Sequence, residues 1–156
     1  MRLKCLLLCL ALASSIAHAG DAAPTGKNPA EVVKNAPQGS LKNPFKTTDA
    51  DRVQKGRDLF MSYSCSGCHG GGGGGGMCPP LTGDVWFFGI DDDALFRLVT
   101  LGSSDLQKAG FQHLGGPTGM PMPPFGTIIK SDEELWEILT WVRTVYKGDP
   151  KKKTWE

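Results

Sequence analysis

Apolar residues recur at helical spacing in three stretches of the chain, and nowhere do apolar and polar residues alternate as in a half-buried strand. The first stretch, 47–64, places Val53, Gly56, Leu59 and Phe60 on one face behind a cap at Thr48 or Asp49. The second, 90–102, buries Leu95, Leu98 and Val99. It sets Asp91–Asp93 at the end where the helix dipole favours negative charge, and it stops at Gly102. The third, 131–148, opens with Ser131 and Glu134 as a capping box. It presents Leu135, Ile138, Leu139, Val142 and Val145 before Gly148 and Pro150 end it. Residues 65–90 and 103–130 read as Gly- and Pro-rich loops. The expectation is an all-α domain of three main helices and long loops, a thin core for this length. Such loops usually need something to fold around.

The ends narrow the picture. Arg2 and Lys4 precede an apolar run from Cys5 to Ala17, and Ala17-His18-Ala19 has the form of a cleavage site. Residues 1–19 therefore read as a signal peptide, cleaved before Gly20 on export to the periplasm. The apolar run is too short to span a bilayer, so no membrane span is expected in the mature protein. Residues 20–47 read as an extended N-terminal arm held by Val32, Val33 and Phe45, residues 48–148 as the folded domain, and residues 149–156 as a basic tail. That tail, with Lys147 ahead of it and Lys151–Lys153 within it, is a solvated end or a patch that steers an acidic partner. Removing the leader takes the formal charge from +1 to about −1, which gives no support for a nucleic-acid partner. Cys65, Cys68 and Cys78 remain, an odd number that a disulfide framework would not use up.

The chemistry is concentrated in Cys65-Ser66-Gly67-Cys68-His69, followed by seven glycines, Gly70–Gly76. A redox dithiol would open a helix after a strand, and none precedes it here. A structural zinc site needs four ligands, and Cys78 and His113 are poorly spaced to complete one. The C-x-x-C-H spacing is that of covalent haem attachment, with a thioether at each cysteine and His69 as one axial iron ligand. Met122, between Pro121 and Pro123, is the preferred second ligand, Met120 the fallback and His113 a rival. The glycine run lets backbone approach the haem edge or a docked partner, or serves as a spacer. Cys78 is expected to be buried. Trp86 and Arg97 are candidates to hydrogen-bond or pair with haem propionates, against core packing and a solvated helix face.

The order helix, C-x-x-C-H, long loop, Met-Pro-Pro-Phe, C-terminal helix resembles the class I c-type cytochromes over roughly residues 48–147. The resemblance implies a small class I cytochrome c fold around one covalent haem c. It also implies a tight crossing of first and last helices through Gly56, Phe60, Ile138 and Trp141, and a Pro79 carbonyl that accepts from His69, with Pro80 as second choice. The stretches LFMSYSCSGCHGGGGGGGMCPPLTGDVW, DDDALFRLVTLG and MPPFGTIIKSDEELW resemble the periplasmic cytochromes that serve PQQ-dependent methanol dehydrogenases, especially the lanthanide-dependent type. That likeness implies an electron carrier rather than an enzyme, reduced by such a dehydrogenase and oxidised by a downstream cytochrome c or oxidase. A carrier with another donor, or an open-iron haem enzyme or gas-binding protein, are the alternatives.

Overall fold

The computed structural model describes residues 23–84, 86–114, 120–149 and 151. Among them are five helices and no strand: α1 Pro29–Asn35, α2 Ala50–Ser62, α3 Cys65–His69, α4 Asp92–Lys108 and α5 Asp132–Thr144. The leader and Lys152–Lys153 lie outside the described residues. No helix among the described residues is long and apolar enough to cross a membrane.

Helix α2 starts at Asp49, whose carboxylate accepts from the Arg52 amide at 3.1 Å. Its buried Gly56 and Phe60 meet α5. A Cβ on Gly56 would fall onto the Glu137 carbonyl and lie 3.1 Å from Trp141 Cβ, so only a glycine lets the backbones approach this closely. One turn on, the Phe60 and Trp141 rings lie 4.5 Å apart, filling the space beside the crossing. Glu137 is wholly buried there, paired with Arg52 and, at 3.0 Å, with Lys55. Gly56→Ala is expected to destabilise the protein by about 1–3 kcal/mol through overpacking, measured by denaturant unfolding.

Three boundaries differ from the sequence reading. Helix α5 ends at Thr144, and its capping box is half formed: Ser131 Oγ accepts from the Glu134 amide at 3.3 Å. Glu134 itself turns to the Tyr63 hydroxyl at 2.6 Å and the Lys130 amide. Gly102 breaks α4 without ending it, because helical turns resume and run to Lys108. The expected loop after residue 65 begins with a short helix, α3, entered through Ser64 in a left-handed conformation.

The arm is also more structured than expected. It contains α1, capped by the Asn28 side chain on the Ala30 amide and opened by Pro29. It lies along its own domain. Asp132, 2% exposed, accepts from the Thr25 and Gly26 amides at 2.7 and 2.9 Å. Asn43 donates to Thr140 Oγ1 at 3.0 Å. Covered on this side too, α5 is buried almost all round, its polar Thr140 included.

Candidate functional site

An apolar cavity opens between α2, α4 and α5, walled by Phe60, Leu95, Leu98, Ile138, Leu139 and Val142. Cys65, His69, Cys78 and Met122 reach both it and a smaller adjoining pocket, to which Cys68 contributes. Residues far apart in the chain are thus gathered on one apolar space. His69 Nδ1 lies 2.9 Å from the Pro79 carbonyl. A carbonyl only accepts, so Nδ1 carries the proton and Nε2 is the nitrogen available to a metal.

The neighbouring loop is knit tightly. The Gly75 amide donates to His69 O at 2.8 Å, the Cys78 amide to Cys68 O at 3.2 Å, and the Leu81 amide to Gly73 O at 2.8 Å. A Cβ on Gly76 would lie 2.8 Å from the Cys68 carbonyl. These glycines serve close backbone packing against α3. Cys78 is buried. Burial pushes the Cys65 thiol up to about 11; burial, with Cys68 beside it, does the same to Cys78. Among the described residues no cluster of three or more His, Cys, Asp or Glu could hold a metal ion, so the zinc reading has no support here.

Both methionines line the cavity; Met122 is half-buried and Met120 is 60% exposed. His113 also lines the cavity, stacked 5.0 Å from Phe87. Trp86 is buried on the cavity wall, edge-on to Tyr146 at 5.7 Å. Arg97 does not stand on a solvated helix face. It is 7% exposed and donates to Asp93 at 2.8 Å and to the Ala36 and Pro37 carbonyls at 2.9 Å each. Its donors hold the arm, and the face it stands on is covered rather than solvated. The Asp run is divided: Asp91 caps α4, Asp92 pairs with Arg143 at 2.6 Å, and Asp93 pairs with Arg97.

The family model described as cytochrome c oxidase, cbb3-type, subunit III matches residues 51–142, more than half of the chain. The protein belongs to this family of c-type cytochromes. Cytochrome c-L of Methylorubrum extorquens is 29% identical over 109 residues, covering 69% of this chain and 47% of that protein. The chain thus spans about half the length of that curated relative. The crystal structure of cytochrome cL from the marine methylotroph Methylophaga aminisulfidivorans matches with a TM-score of 0.54 at 30% identity, covering 70% of this chain and 63% of that one. Cytochrome cL from Hyphomicrobium denitrificans matches with a TM-score of 0.50 at 26% identity, covering 81% and 73%.

The fold is that of a class I cytochrome, and the cofactor is one covalent haem c. The residues fit that group: an apolar cavity for the macrocycle, two thiols for its vinyl groups, and an imidazole and a thioether for its iron. Chain order offered most of these residues as candidates, but not the contacts made around the break in α4. Gly102 was visible as a helix stop, while its contacts with the Met122 loop were not.

Proposed function

We propose that this cytochrome is an exported, periplasmic one-electron carrier and not an enzyme in its own right. It takes electrons from a PQQ-dependent methanol or other alcohol dehydrogenase, of the lanthanide-dependent type, and passes them to a downstream cytochrome c or oxidase. The observation that carries this reading is that His69 and Met122 border the same apolar cavity. Haem bound there supplies one-electron redox chemistry, and two protein ligands leave no iron position for a substrate. Cys65 and Cys68 would hold the group covalently, and the Pro79 carbonyl fixes the tautomer and orientation of His69. Trp86 would pack against the bound group from the cavity wall.

The donor class is supported by the three stretches that resemble the dehydrogenase-linked subgroup and by the cytochrome cL relatives. Docking would use the surface around Cys65–Cys68 and the Gly70–Gly76 loop, where Gly72 and Gly74 have open space beside them. The test is stopped-flow reduction of the oxidised cytochrome by methanol and a PQQ dehydrogenase loaded with a lanthanide or with calcium. Fast, saturable reduction by the lanthanide enzyme is expected, slowing with salt if charge steers the encounter. Failure with both enzymes, in a protein that chemical reductants reduce readily, would refute the assigned donor.

A further inference from the structure

We propose that the break in α4 is the seat of the distal iron ligand, with Gly102 and Ser103 as positioning residues for Met122. The proposal rests on Met122 being that ligand. In an unbroken helix the Val99 carbonyl accepts from the Ser103 amide and the Thr100 carbonyl from the Ser104 amide. At Gly102 the backbone turns to φ 73°, ψ 168°, and the groups beside it take partners from the methionine loop. Val99 O accepts from the Phe125 amide at 2.9 Å and Thr100 O from the Gly126 amide at 3.0 Å. The Ser103 amide donates to Met122 O at 3.0 Å, and Ser103 Oγ accepts from the Met122 amide at 2.9 Å. One residue therefore holds Met122 by both of its backbone groups, and the preceding turn holds its neighbours.

Composition makes this anchor specific. In Pro121-Met122-Pro123-Pro124 only Met122 has an amide hydrogen, so the segment has a single backbone donor, and it goes to Ser103. Gly102 is required twice over. Its φ disfavours any residue with a side chain, and a Cβ there would lie 2.6 Å from Met122 O and 2.9 Å from Pro124 N. Backbone groups freed by the break have been traded for a fixed position of the loop.

The experiment uses the haem-loaded protein and its Ser103→Ala, Ser103→Thr, Gly102→Ala and Met122→Ala variants. It reads the far-red sulfur-to-iron charge-transfer band, carbon monoxide binding to the ferrous form, and helix content. Ser103→Ala is expected to keep its helix content while carbon monoxide binds about fivefold faster, the scale expected for losing one partly buried hydrogen bond. Ser103→Thr keeps the hydroxyl and should restore the parent rate, and Gly102→Ala should weaken the band further. If Met122→Ala removes the band but Ser103→Ala behaves as the parent, the ligand stands and the seat is refuted. If Met122→Ala keeps the band, the ligand assignment is refuted and the proposal with it.

Discussion

Met122→Ala is expected to open the iron. The charge-transfer band disappears, the ferrous protein binds carbon monoxide readily, and the reduction potential falls. Met120→Ala changes none of these. The two thioethers lie two positions apart, but their surroundings differ. Met122 is half-buried and lines both pockets with His69, its backbone tied to Ser103, whereas Met120 is 60% exposed and lines only the larger cavity. A thioether opposite histidine raises the potential, so replacing it with water lowers it. Optical spectra and potentiometric titration of the two variants decide the matter. Loss of the band in Met120→Ala with its survival in Met122→Ala would reverse the assignment.

Arg97→Met is expected to cost about 3–5 kcal/mol, because it strands a buried charge. Asp93 is 2% exposed, and Arg97 is its ion-pair partner at 2.8 Å. The same guanidinium satisfies the Ala36 and Pro37 carbonyls, while Asp93 holds the Leu41 amide at 3.2 Å. Losing it should loosen the arm, so limited proteolysis should cut near residues 36–41 faster than in the parent. Denaturant unfolding of the haem-loaded protein gives the energy. Replacing both partners with apolar residues should recover much of it, since no buried charge is then left alone. The haem spectrum and potential should stay as in the parent. A shift in potential at unchanged stability would instead return Arg97 to the propionates.

What was legible in the chain was local. The spacing of Val53, Gly56, Leu59 and Phe60 marked α2, and Leu135, Ile138, Leu139 and Val142 marked the buried face of α5. The C-x-x-C-H motif marked the candidate attachment site, because its chemistry is written into five consecutive residues. Pro79 came from family resemblance, and the 2.9 Å contact with His69 agrees with it. The arm was harder to read. Its residues are polar and poorly periodic, and their order comes from partners such as Asp132, 107 positions from Thr25. The burial of Arg97 was hidden for the same reason: a cation on a helix face looks solvated until the segment covering it is in place.

Periodicity and motif spacing are properties of neighbours along the chain, so the helices, the attachment motif and the all-α class could be read from residue order. Which of two methionines is held by Ser103, and where a buried arginine spends its donors, depends on contacts closed across long loops. At Gly102 the chain alone shows a residue that stops a helix. Folding turns that stop into a seat, because the backbone groups beside the break find their partners in a loop about twenty residues later.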